Sequence, residues 1–215
     1  MASALDRIGE RWSLLIVREL LLGPLRFSEL ARGVGGAPSD VLTRRLRDLE
    51  SDGIVRRRDL EPPASGTVYE LTDLGQELEG PVMELGRWGL NFYRLGDLPG
   101  LVTSSLANAL RVILDAPAGG DPVALQLRSE GHSTWLRTAS GAIAAGRGEV
   151  GDPDLILCGE APDVIAALVL GGEAEERITI EGDRSALTRL REMVVLPGRL
   201  REEALAAGAA ELAAR

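Results

Sequence analysis

From Ala4 to Leu22 the apolar residues Leu5, Ile8, Trp12, Leu15, Ile16 and Leu20 return at three- and four-residue steps, the period of one helical face. Gly23-Pro24 closes that pattern, because proline disfavours helical geometry in the residue before it and glycine suits a helix end. The next segment, FSELARGV, predicts a short second helix capped at or near Ser28, with Leu30 and Val34 turned inward. After the loop GGAP a third helix is expected from about Ser39 to Asp52. At about 100° per residue, Leu42, Leu46 and Leu49 form one stripe, and Asp40, Thr43, Arg44 and Arg47 fall on the opposite side. Gly53 ends this helix, and IVRRRDLE, PPASG and TVYELT read as strand, tight connection and strand, a hairpin.

The pattern then changes. Asp73 to about Arg94 predicts a long, mostly helical segment interrupted at Gly80-Pro81, with Val82, Leu85, Trp88 and Phe92 on one apolar face. GDLPG at residues 96–100 is the expected domain junction, since it combines glycine, proline and charge. A helix is expected over 101–115, with Leu106, Leu110, Ile113 and Leu114 buried. PVALQLRSE, STWLRTA, PDLILCGE and ERITIEG read as strands, with period-two sets such as Val123, Leu125 and Leu127. APDVIAALVLGG supplies a helix after the third of these, and GDRSALTRLREMV another after the fourth, with Asp183 as its N-cap. The fold class is α+β: an N-terminal domain over 1–95, a C-terminal α+β domain with a mostly antiparallel sheet over 101–196, and a helical tail over 197–215.

Charge changes the picture locally. The whole chain is acidic, with a net charge of -9 and 33 acidic against 24 basic residues, and such a field repels phosphates. Every basic residue is arginine, which reads mainly as codon bias. Between residues 26 and 58, however, eight arginines stand against five acids. Any contact with nucleic acid must come from this patch. A solvated helix face with local ion pairs, such as Glu50 with Arg47, is the competing account of these arginines.

Helix, helix, exposed basic helix and hairpin is the order of a winged helix-turn-helix, in which the third helix enters the major groove. The runs ALDRIGERWSLLIVRELLLGPLRFSEL, LTRRLRDLESDGIVRRR and YELTDLGQEL resemble the HxlR-type regulators over roughly residues 4–95. The resemblance implies a homodimer on a two-fold-related double-stranded DNA operator. It also implies that Thr43, Arg44 and Arg47 read or flank bases, and that Arg56, Arg57, Arg58 and Thr67 hold the DNA backbone. Leu5, Val82, Leu85, Trp88 and Phe92 are the expected dimer seam. Two departures stand out. Pro38, Ser39 and Asp40 replace the family's Ser-Pro start and basic residue, so the cap changes and an acid lies near the DNA. Residues 1–11 contain no cysteine, so the thiol that senses oxidants in many members is absent at that place.

The C-terminal half, over about 101–196, resembles the sterol carrier protein type-2-like fold through its order of strands and helices ending in ITIEGDRSALTRL. That resemblance implies an apolar tunnel for a hydrophobic small-molecule effector, lined in part by Leu125, Leu127, Trp135, Ile156 and Leu168. No Gly-rich phosphate loop follows a strand, no nucleophile elbow is present, and His132 is the one histidine, so neither an enzyme nor a bound cofactor is expected. Cys158 is the one cysteine and reads as a buried strand thiol, consistent with a reducing cytoplasm. Glu149, Asp152 and Asp154 form an acidic cluster with too few oxygens for a hard cation. No apolar run is long enough to span a membrane. The leading expectation is therefore a cytoplasmic one-component regulator. The competing one is a lipid or small-molecule carrier, or minor enzyme, whose winged helix serves as a protein-interaction module.

Overall fold

The structure, a computed structural model, describes residues 1–95, 106–129 and 131–213. The described residues divide into two compact units, one holding residues 1–84 and the other 85–95 and 106–213. The junction expected at 96–100 lies outside the described residues, as do residues 101–105 of the helix expected to follow it.

The first unit contains α1 (Ala2–Ile8), α2 (Ser13–Leu20), α3 (Phe27–Val34), α4 (Ser39–Ser51), β1 (Val55–Asp59), β2 (Thr67–Leu71) and α5 (Asp73–Gln76). The single helix expected over residues 4–22 is thus two. Trp12 breaks it by taking a left-handed backbone (φ 83°) directly before α2. α1 buries none of its residues, whereas Ile16, Val17 and Leu20 of α2 are fully enclosed. Ser28 is not the cap of α3. The helix begins at Phe27, and Glu29 folds back to accept the Arg26 backbone N–H at 2.7 Å, which satisfies an amide that the helix start leaves open.

β1 and β2 pair antiparallel, with Val55 opposite Leu71, Arg56 opposite Glu70 and Arg57 opposite Tyr69. Leu25 joins as a third, one-residue strand, exchanging both backbone hydrogen bonds with Tyr69. Thr72 then ties three elements together. Its hydroxyl donates to the Gly53 carbonyl at 2.6 Å, beyond the end of α4, and accepts from the Gly75 N–H in α5. α6 (Glu79–Gly89) follows, and Gly80-Pro81 lies in its first turn instead of interrupting it, where the missing proline N–H costs nothing.

In the second unit, α7 (Leu106–Ile113) is followed by β3 (Val123–Ser129), β4 (His132–Ala139), β5 (Ala142–Arg147), β6 (Leu155–Cys158), α8 (Ala161–Val169), β7 (Thr179–Gly182), α9 (Arg184–Glu192) and α10 (Gly198–Ala213). The strands form one sheet in the order β5-β4-β3-β6-β7, antiparallel except for β3 with β6. Asp183 does cap α9, accepting from the Ser185 N–H at 2.8 Å.

α7 and α9 lie against the sheet, and its sealed face carries Val123, Leu125, Leu127, Leu136, Leu155 and Leu157, all buried. Register divides the five residues expected to line one pocket. Leu125 and Leu127 belong to the sealed face, whereas Trp135 and Ile156 both stand opposite Gln126 and therefore share the other face. Leu168 is buried in α8. Cys158 also lies on the Gln126 side and is half-buried.

Leu46 is fully buried while Leu74 is half-exposed. Leu46→Ala should therefore cost about 2–5 kcal/mol, whereas Leu74→Ala should stay within about 0.5 kcal/mol. Urea unfolding of the two variants against the wild type checks the difference.

Candidate nucleic-acid interface

α4 buries Leu42, Leu46 and Leu49 completely. The same rotation leaves Asp40, Arg44 and Arg47 exposed on its other side, while Ser39 is exposed at the helix start, about 20° from Leu46 around the axis. Pro38 precedes the helix and no side chain caps it, so Ser39 serves as its first residue. Asp40 stands in the first turn, where a carboxylate favours the positive end of the helix dipole. The Thr43 hydroxyl donates to the Ser39 carbonyl at 2.7 Å, which spends its one donor on its own helix.

The arginines of α4 have different fates. Arg45 is only 14% exposed and pairs with Glu10 at 3.0 Å and Asp48 at 2.8 Å. Among the described residues Arg44 and Arg47 take part in no ion pair. The Glu50 carboxylate, a candidate partner for Arg47 in sequence, is instead 3.1 Å from Arg57.

Strand alternation separates the three arginines of β1. Arg57 stands opposite Tyr69, and its guanidinium lies 5.4 Å from that ring's centre while pairing with Glu50 on α4. It ties the hairpin to the helix. Arg56 and Arg58 project from the other face, and each donates its Nε–H to one oxygen of Glu70 at 2.8 Å. Their side chains remain 65% and 47% exposed, while that of Glu70 is 11% exposed. Hydrogen bonding from Arg58, followed by the bond from Arg56 and the charges of both, outweighs burial and lowers the Glu70 pKa. Thr67 donates to Asp59 directly across the hairpin. At the turn, Arg26 donates to the Ser65 carbonyl at 2.7 Å.

The structure thus brings Asp40, Thr43, Arg44 and Arg47 onto one side of α4, with Ser39 exposed at its start, and Arg56 and Arg58 onto one side of the hairpin, with Arg57 on the other. Sequence reasoning missed Glu70, whose partners become visible only once the hairpin register sets it opposite Arg56. Of the expected dimer-seam residues, Leu5, Leu85, Trp88 and Phe92 are exposed, but Val82 is buried. Its position about 60° from Leu85 and about 120° from Trp88 around the helix turns it off their face. Trp88 and Phe92 meet edge to face with centroids 4.9 Å apart.

In the C-terminal unit the acidic residues serve local structure. Glu149 pairs with Arg128 at 3.1 Å, and Asp154 accepts the Ala124 N–H at 2.7 Å. Among the described residues no three His, Cys, Asp or Glu gather where a metal ion could be held, and no helix is long and apolar enough to cross a membrane.

Residues 7–97 match the family model described as HxlR-like helix-turn-helix. The HTH-type transcriptional regulator YodB of Bacillus subtilis is 34% identical over 97 residues, which span 45% of this chain and 87% of YodB. The chain belongs to the HxlR-like helix-turn-helix family. An uncharacterised HTH-type transcriptional regulator of Mycobacterium tuberculosis is 40% identical over 86 residues, 40% of this chain and 54% of its own length. This chain thus spans only about half of that relative. The solved reduced form of YodB from B. subtilis is 35% identical, covering 43% of this chain and 90% of YodB with a TM-score of 0.39. Residues 106–213 lie beyond the span matched by the HxlR-like model.

The Glu70 cluster gives this HxlR-like domain a pH-dependent contribution to stability. The unfolded carboxylate titrates near 4.5 and the folded one lower, so the contribution is complete above 4.5 and is lost as pH falls through the folded value. Glu70→Gln should melt at a lower temperature than the wild type at neutral pH. The gap should narrow as the pH is taken below 4.5, which thermal melts across an acid pH series will show.

Proposed function

We propose that this chain is a cytoplasmic, sequence-specific DNA-binding transcriptional regulator that acts as a homodimer, with α4 as its recognition helix and the β1–β2 hairpin as its wing. The observation that carries this reading is the pair Arg44 and Arg47, exposed on the side of α4 opposite a fully buried leucine stripe and without an ion-pair partner among the described residues. Guanidiniums in that state keep their bidentate donors for guanine edges or phosphates. On this reading Asp40, Thr43, Arg44 and Arg47 face the bases with Ser39 at the helix start beside them, and Arg56 and Arg58 hold the backbone, while Arg57 and Thr67, engaged by Glu50 and Asp59, brace the wing. Asp40 disfavours some base edges and so narrows the choice of sequence.

A dimer doubles the few base contacts that one recognition helix offers. Leu5, Leu85, Trp88 and Phe92 supply apolar surface for a second copy, the last two being 61% and 71% exposed. For the C-terminal unit we keep the sterol-carrier-like reading, supported by its five-stranded mixed sheet and by helices against the face of Leu125 and Leu127. A small apolar effector held there acts on DNA binding only as far as it prefers one arrangement of the protein.

Selection of bound fragments from a random duplex pool by the purified chain should yield a two-fold-related consensus. Failure to enrich any sequence overturns the regulator reading. On the selected duplex, Arg44→Ala or Arg47→Ala should cost about 1–3 kcal/mol and erase discrimination against random DNA. Arg58→Ala should weaken both duplexes alike and reduce the salt slope by about 1.

A screen of lipids, aromatic polyketides and dyes for thermal stabilisation tests the effector. A ligand of this unit should shift affinity for the selected duplex by roughly 5- to 150-fold, with DNA shifting ligand affinity by the same factor. Stabilisation without any change in DNA affinity would reduce the C-terminal unit to a scaffold.

A further inference from the structure

Glu70 is the carboxylate of the hairpin to which neither the sequence pattern nor the family match gives a task. It sits opposite Arg56 in the register, and its two oxygens are divided evenly, one to the Nε–H of Arg56 and one to that of Arg58. An arginine offers five donors. Engaging Nε alone leaves the outer Nη edge of each guanidinium available, and both side chains are about half-exposed or more. The two residues are alternate positions of one strand, about 7 Å apart. Two like charges at that spacing repel, and long free side chains wander. A shared carboxylate beneath them removes both problems.

We propose that Glu70 is a positioning residue for DNA binding, whose carboxylate presets Arg56 and Arg58 as a two-pronged clamp for phosphates on the wing. The proposal rests on the DNA-binding reading above. In the clamp the ordering of two long side chains is complete before DNA arrives, so less freedom is lost on contact. The carboxylate also removes one unit of positive charge from the wing. Long-range attraction and contact geometry therefore pull in opposite directions, and the sign of a substitution at Glu70 tells which governs.

The test measures full-length wild type, Glu70→Gln, Glu70→Asp, Arg56→Ala and Glu70→Gln with Arg56→Ala on a mixed-sequence duplex, by fluorescence anisotropy across a salt series. Glu70→Gln should bind about fivefold more weakly at moderate salt, although it has lost a negative charge. Arg56→Ala should cost less in the Glu70→Gln background than in the wild type, the mark of two groups acting together. Glu70→Asp keeps the charge one methylene shorter, so weaker binding by that variant reports geometry alone and serves even where the glutamine variant folds poorly. If the wild type binds and both Glu70 variants bind as tightly or more tightly at every salt concentration, the clamp is wrong and the DNA-binding reading stands. If the wild type shows no salt-dependent binding to duplex DNA, both fall together.

Discussion

Burial of Leu42, Leu46 and Leu49 fixes the rotation of α4, and the surface that the N-terminal unit offers depends on that rotation. Each leucine taken out of water contributes about 1.5–3 kcal/mol, and all three are fully enclosed. Turning the helix by a single residue, about 100°, would expose that stripe and press Arg44 or Arg47 toward the core. Charged groups without partners do not tolerate such burial. The exposed face of α4 is therefore decided by its buried one. Thr72 holds the end of the helix against the hairpin through Gly53, so the strands take their place from the same leucines.

Ion pairs then decide which guanidiniums are occupied, more than how stable the unit is. Exposed pairs contribute about 0–1 kcal/mol each, a small term beside the leucine stripe. Their effect is selection. Arg45 is committed to Glu10 and Asp48, Arg57 to Glu50 and the Tyr69 ring, and Arg56 and Arg58 to Glu70 through one edge each. Arg44 and Arg47 are left with their full donor sets to offer outward. In a chain of net charge -9, a surface that attracts phosphates depends on which arginines the acids leave uncommitted.

The N-terminal elements were legible because their signals are local: a leucine stripe, a glycine after the third helix and a basic run in a hairpin. What stayed hidden depends on the third dimension. The break between α1 and α2 rests on the left-handed backbone of Trp12, which apolar spacing does not encode. β5 carries small residues in place of an alternating apolar pattern. Within it Gly146 lies opposite Trp135, where a Cβ would come within 2.7 Å of the indole ring, so that pairing needs a glycine. The expected ligand pocket mixed residues of opposite parity, since the offset between β3, β4 and β6 appears only once they pair. The oxygens of Glu70 went unremarked for the same reason, as their partners sit on the neighbouring strand.

Topology also explains the one buried polar residue at the centre of β3. With strands ordered β5-β4-β3-β6, the connection from β5 to β6 must pass over β4 and β3. A segment crossing a sheet in this way carries backbone groups that no ladder can pair, and burying them unpaired is costly. Gln126, fully buried, supplies partners to that segment: its Nε2 donates to the Gly148 carbonyl at 3.2 Å, as well as to the Thr134 carbonyl on β4 at 2.9 Å, and its Oε1 accepts from the Val150 N–H at 2.8 Å. Arg137 adds a bond to the Gly151 carbonyl at 3.0 Å. The face that holds Trp135 and Ile156 is thus tied to its own crossover by hydrogen bonds. An apolar ligand gains nothing by displacing that crossover, because each polar group it uncovered would need a partner that an apolar molecule lacks.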